Sequence, residues 1–380
     1  MITAEASTTY RITLRPPQSR LRRAVTWAFG AAALVRRERR GHCPKPLRQH
    51  LRGWRLGFFG PSYTLYDLER NDPREYLSDY EVLIRFPFVN DPFNANVRNK
   101  LALARVLSLS GFRTPRLFGL LDRGRVRALD GAADAAAPLE WLERHLAPGG
   151  RLVVKPAAEG QGRGILFVAR DGEEFLVNGV PASREALGAL LEPLRAYLIT
   201  EFMDQAAYAA AVYPGATNTV RVLTLWDLER GRPFIATAAH RFGSPRGGPV
   251  DNFHSGRGGL SASIDIETGV LGPGAALDAG WRLVWHARHP DTGAAIAGVR
   301  VEHWSETVAM LLAIAARFPE APAVGWDLVV TREGPCVLEG NSPPQVAVWQ
   351  VHRPLLRDPR TRRFYEAYGV RRRSDPTPRG

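Results

Sequence analysis

This chain uses almost no lysine. Of its 51 basic residues only Lys45, Lys100 and Lys155 are lysines, and the rest are arginines. Cysteine is nearly as scarce: Cys43 and Cys336 lie far apart and form no C-x-x-C pair. That excludes a disulfide framework and a cysteine zinc cluster, and it makes a reducing cytoplasm the expected setting. No apolar run is long enough to span a bilayer, which takes about 20 residues. The longest, Ala24 to Val35, has twelve residues, including one Thr and one Gly. No Gly-Lys-Ser/Thr occurs, so there is no Walker A loop. Internal repeats and long low-complexity tracts are absent too, and His240, His254, His289 and His303 show no metal-ligand spacing.

What is present begins with charge at the two ends. Residues 1–60 carry 13 basic and 2 acidic residues, and residues 357–380 carry 8 and 3. The body between is slightly acidic, so the formal +13 of the chain belongs to its ends. Arginines flank the short apolar run on both sides in "RLRRAVTWAFGAAALVRRERR". The following RRERR and the lack of a small-residue cleavage site argue against a signal peptide. Two readings remain for residues 20–40: a helix docked on the main body, or an interfacial helix at the inner face of a membrane. Nucleic acid is not an expected partner, because the body lacks a basic stripe interleaved with aromatics.

Five regions are expected: a basic helical extension over 1–55, an α/β region over 56–127, strand-rich units over 128–203 and 204–356, and a basic tail over 357–380, poorly ordered. "NVRNKLALARVLSLSGFRTP" (96–115) reads as a helix stopped by Gly111. From residue 151 onward short strands alternate with turns: "RLVVK", "ILFVAR", "YLITEFM", "NTVRVLTLWD", "FIATAAHRFG", "AVGWDLVVT" and "PCVLEGN". Several are joined by hairpin turns, such as Asp171-Gly172 and Glu333-Gly334. The fold class is therefore α+β with largely antiparallel sheets.

Lys155 closes a strand just before Gly160, Gln161, Gly162 and Gly164. A dinucleotide-binding glycine motif would be followed by a helix, whereas this loop enters a strand. It is a hairpin tip, either merely mobile or able to fold its backbone N–H groups over phosphates. Lysine is a compact point charge and arginine a wide fork, so a confined phosphate contact is one place where arginine does not fit. Lys100, at the start of the 96–110 helix, is the second such exception.

Carboxylates gather near the other end. Asp327 lies on one strand, and Glu339 and Asn341 lie at i and i+2 on the next, on one face. Together they suit Mg²⁺, which takes one or two carboxylates with phosphate and water oxygens. Arg221 and Arg241 sit among apolar strand residues, either as satisfied ion pairs or as stabilisers of a transferring phosphoryl group. "VDNFHSGRGG" reads as an active-site loop offering Asp251 and Asn252.

In this order, "NKLALARVLSLSGFRTP", "LVVKPAAEGQGRGI", "LITEFM", "YPGATNTVRVLT", "VGWDLVVT" and "LEGNSPP" resemble the ATP-grasp superfamily. The closer resemblance is to its sugar-transfer-associated members, related to the α-L-glutamate ligase-like proteins, over about residues 56–352. The resemblance implies two α+β subdomains gripping ATP. Lys100 and Lys155 would contact its phosphates under the 160–164 loop. Glu201, Phe202 and Met203 would line the base and ribose. Asp327, Glu339 and Asn341 would hold one or two Mg²⁺. Arg221 and Arg241, with Asp251 and Asn252, would serve an acyl-phosphate reaction between a small-molecule acid and an amine, with an amino sugar as the implied acceptor. A kinase acting on a hydroxyl, or a non-catalytic membrane-associated scaffold, would use much of the same set.

Overall fold

The structure is a computed structural model that describes residues 20–40, 46–129, 135–158, 164–253 and 259–371. The strand-forming runs of the first half pair into one eight-stranded sheet: β1 (Leu117–Asp122), β2 (Arg125–Ala128), β3 (Ala135–Ala136), β4 (Arg151–Pro156), β5 (Leu166–Asp171), β6 (Glu174–Val177), β7 (Val180–Ala182) and β8 (Tyr197–Glu201). Their order is β3-β2-β1-β8-β4-β5-β6-β7, antiparallel throughout. A second sheet of seven strands contains β9 (Val220–Asp227), β10 (Arg232–Phe242), β11 (Leu260–Ile264), β12 (Leu271–Leu277), β13 (Leu283–His286), β14 (Ala323–Thr331) and β15 (Gly334–Asn341). It runs β13-β12-β11-β10-β9-β14-β15 and is also antiparallel throughout.

Strand alternation decides which face of each sheet is covered. Leu152, Val154, Val168 and Ile199 point into a core closed by Trp141, Leu142, Leu187 and Leu191. Those four come from the helices Pro138–His145 and Arg184–Leu191. In the second sheet Val220, Val222, Trp326 and Leu328 pack on Leu311 and Ile314 of the helix Trp304–Arg317. The intervening residues point to the opposite faces. On the second sheet Leu223 and Leu225 pack on Trp349, Phe364 and Tyr365, while Arg221, Arg241 and Asp327 meet Val153 and Lys155 of the first sheet across a cleft.

Two expectations change on contact with the structure. The helix read over 96–115 is two helices, Asn94–Arg98 and Lys100–Leu109. Asn99 breaks it: its backbone is extended, and its side chain accepts from the N–H groups of Leu101 and Ala102. Lys100 thereby becomes the first residue of a capped helix, with its N–H bonded to Ala157 O at the end of β4 (3.1 Å). The tail is not loose as far as residue 371. It forms the helix Pro359–Ala367, capped by Asp358, and buries Phe364, Tyr365 and Val370 against the second sheet. Composition alone concealed this, because the arginines flank three well-spaced apolar anchors. Residues 372–380 lie outside the described residues.

Of the two readings of the N-terminal extension, the docked helix is the one observed. The helix Arg20–Arg40 does dock on the body. Gly30 is buried so closely that a Cβ there would lie 1.9 Å from Ile84 Cδ1, and Leu34 is buried beside it. Glu38 holds the far end, accepting from Gly60 N and pairing with His50 Nδ1 (2.7 Å). The other face leaves Val25, Phe29 and Val35 exposed. Among the described residues no helix is long and apolar enough to cross a membrane.

Candidate active site

The cleft between the sheets encloses about 950 Å³, including its open mouth. Its two walls are chemically unlike. From the first sheet come Val153, Phe167 and Thr200, followed by Phe202 and Met203 after β8, with Leu338 opposite them. This wall is largely apolar, and Arg151 lies over the Phe202 ring at 4.4 Å. Glu201 sits at its edge, accepting from the backbone N–H of Arg116 (3.1 Å).

Lys155 is the charged exception on that wall. It is only 9% exposed. Burial, with Lys100 adding to it, pulls its pKa down from 10.5 to about 8, and Glu339 only partly opposes the shift. Lys100 reaches the same place from its helix, with Nζ 3.3 Å from Glu339 Oε2. Gly164 has φ +70°, and a Cβ there would lie 2.6 Å from Tyr197 Oη, so the exit of the hairpin loop requires glycine. Gly160, Gln161 and Gly162 lie outside the described residues.

The second wall is a charge network. Arg221 forks onto Asp327: Nε donates to Oδ1 at 2.6 Å and Nη2 donates to Oδ2. Arg241 Nη2 reaches Asp327 Oδ2 at 3.0 Å and Asp251 Oδ1 at 3.3 Å. Sheet register makes this possible, since Asp327 stands opposite Arg221 on one side and Glu339 on the other. Burial alone would raise the Asp327 pKa, but Arg221 and Arg241 outweigh it and hold the carboxyl below its usual range. Of the two roles left open for these arginines, the ion pair is observed, and both of them line the cleft at the same time.

Two features escaped sequence reasoning. Thr219 is a hub: its N–H (2.7 Å) and hydroxyl (2.5 Å) both donate to Asp251 Oδ2, and its hydroxyl accepts from Arg241 Nε at 3.0 Å. Its only signal was a polar residue two places before a strand arginine. The other is a bulge at Leu338. Asp327 pairs with Glu339 but Leu328 pairs with Val337, so Leu338 is the extra residue. Leu338 and Glu339 are adjacent in sequence, yet both line the cleft. Asn341 instead stands behind Glu339, with its Nδ2 3.4 Å from Oε1, and is not part of the cleft wall.

Among the described residues no three His, Cys, Asp or Glu side chains are grouped to hold a metal. The expected trio is two carboxylates and one amide. Such a set fits Mg²⁺ only if phosphate and water complete the shell, which is the usual arrangement for that ion. Glu339 is the best-placed ligand, because both Asp327 oxygens already accept from arginine.

Two antiparallel α+β units closing on a cleft with two lysines at one end define an ATP-grasp protein. Residues 86–360 match the model of the sugar-transfer-associated ATP-grasp family, and the chain belongs to that family. No curated protein sequence matches it. Among solved structures it is similar to the VanG D-Ala:D-Ser ligase from Enterococcus faecalis, at 12% identity and TM-score 0.40, covering 71% of this chain and 61% of that one. An ADP complex of N5-carboxyaminoimidazole ribonucleotide synthetase matches at 10% identity and TM-score 0.38, covering 67% and 46%. The D-alanine-D-alanine ligase from Coxiella burnetii matches at 13% and 0.36, covering 82% and 66%. The chain spans about half to two-thirds of the length of those proteins.

Proposed function

We propose that this protein is an ATP-dependent carboxylate–amine ligase acting in polysaccharide or glycoconjugate biosynthesis. The observation carrying this reading is the convergence of Lys100, Lys155, Glu339 and the Arg221/Arg241 pair on one cleft with an apolar wall. The apolar side around Phe202 and Met203 suits a flat base. Lys100 and Lys155 suit the phosphates, with the 160–164 loop as cover. Lys100, Lys155, Arg221 and Arg241 are matched one for one by Glu201, Asp251, Asp327 and Glu339, so the cleft lining by itself does not neutralise a triphosphate. Mg²⁺, held by Glu339 beside Asp327 and completed by phosphate and water oxygens, would supply positive charge and polarise the phosphate oxygens.

In the reaction, a carboxylate oxygen of the acid attacks the γ-phosphorus of ATP, the bond to the bridging oxygen breaks, and ADP leaves. The amine nitrogen then attacks the acyl carbon, phosphate departs, and the nitrogen loses a proton. Arg241 is the guanidinium best placed to stabilise the acyl phosphate, because Thr219 and Asp327 fix its fork. Asp251 and Asn252 would orient the acceptor, a small amine such as an amino sugar. The protein would work in the cytoplasm, with the helix Arg20–Arg40 available for peripheral contact with the membrane.

The decisive experiment supplies ATP, Mg²⁺, candidate acids labelled with ¹⁸O in the carboxylate, and candidate amines. The expected products are ADP, an amide, and phosphate carrying one ¹⁸O. A phosphoester in place of an amide would replace this reading with hydroxyl phosphorylation. No turnover by wild type above a Glu339→Ala control would refute catalysis.

A further inference from the structure

The helix Leu47–Leu56 has the sequence LRQHLRGWRL. One side of it is fastened to the body. Gly53 is buried, and a Cβ there would lie 3.0 Å from Phe58 O and 3.3 Å from Tyr63 Cδ2. His50 is held by Glu38. The helix therefore cannot roll to hide its other side. That other side presents Leu47, Leu51 and Trp54, at i, i+4 and i+7, with 69%, 53% and 41% of their surface exposed. Arg48, Arg52 and Arg55 are exposed along the flank of this stripe.

Helix amphipathicity normally buries the apolar stripe. Here it faces outward, with arginines beside it. From Arg39 to Tyr66 there are six basic residues and no acidic one. The preceding helix adds Val25 and Phe29, 45% and 73% exposed, on the face opposite its docked Gly30. A second copy of this chain is a poor occupant, because it would bring these arginines against one another. An apolar strip bordered by arginine matches the boundary between headgroups and acyl chains of an anionic bilayer.

We infer that the helix Leu47–Leu56 is the element that seats this protein on an anionic lipid surface. This is independent of the ligase reading and moves the principal contact from residues 20–40 to a helix that composition did not single out. Leucine and tryptophan enter the interface, the arginines meet lipid phosphates, and the docked face keeps the body at a fixed orientation.

The test uses the full chain in sedimentation with vesicles of phosphatidylcholine mixed with phosphatidylglycerol, and of phosphatidylcholine alone. Wild type should partition onto the mixed vesicles and only weakly onto the neutral ones. The pair Leu51→Glu and Trp54→Glu should lower partitioning by at least ~10-fold. Arg48→Gln with Arg52→Gln should lower it less, and added salt should mimic that loss. All these residues are exposed, so thermal unfolding midpoints should stay at the wild-type value. Absence of wild-type binding, or equal binding by the Leu51→Glu/Trp54→Glu variant, overturns the inference. So does self-association in ultracentrifugation that Leu51→Glu abolishes while vesicle binding is unaffected.

Discussion

The two sheets bring cations to one cleft under opposite conditions. On the first sheet Lys155 is buried, with its pKa drawn down to about 8, so its charged form is held against a cost. On the second, Arg221 and Arg241 are equally buried but are matched by Asp327, Asp251 and Thr219. A buried charge that lacks a full set of partners suits an incoming anion. A buried charge with its partners in place is a positioned tool that is also part of the framework.

The comparison can be broken most forcefully at Asp327. Asp327→Ala leaves two buried guanidinium groups short of their anion and should destabilise folding by about 3–5 kcal/mol. Denaturant titration measures this, and an unchanged midpoint would mean the network does not support the fold. Lys155→Met should act in the opposite sense. It removes the desolvation cost and should stabilise the protein at pH 7 by on the order of 3 kcal/mol while abolishing nucleotide binding. The pH dependence has a definite sign. The folded pKa is lowered from 10.5 to about 8, so the unfolded chain binds more protons between those values and Lys155 makes stability rise across that window.

Smaller effects sharpen the contrast. Glu339→Gln should reduce turnover by about 100-fold with little change in stability, because its side chain is 21% exposed and its direct contacts are to Lys100 and Asn341. Steady-state kinetics alongside calorimetry separates the two. Lys155→Arg keeps the charge but not the shape and should weaken ATP about 10-fold. The finest effect is fractional proton uptake on nucleotide binding between pH 8 and 9, seen by calorimetry in buffers of different ionisation enthalpy. It should vanish in Lys155→Arg.

Much of this molecule was legible in its residues. Period-two patterns located β4, β9, β14 and β15, and those strands alone carry Lys155, Arg221, Asp327 and Glu339. What could not be read were features set by neighbours. Only the Asn99 cap reveals why a continuous apolar pattern breaks before Lys100. Only strand register shows that Asp327 is shared between two arginines. The bulge at Leu338 defies the alternation on which the reading of β15 depends. At the C-terminus the error ran the other way: arginine content masked the buried Phe364 and Tyr365.

The depressed pKa of Lys155 also has a use at the bench. A lysine that gives up its proton near pH 8 is a far better nucleophile toward amine-reactive reagents than an ordinary one. With only Lys45, Lys100 and Lys155 in the chain, acylation near neutral pH followed by peptide mapping has few amines to follow: these three and the α-amino group, which ordinarily titrates at about 8. Occupancy of the cleft would be read as protection of the Lys155 amine, without knowing either the acid or the acceptor.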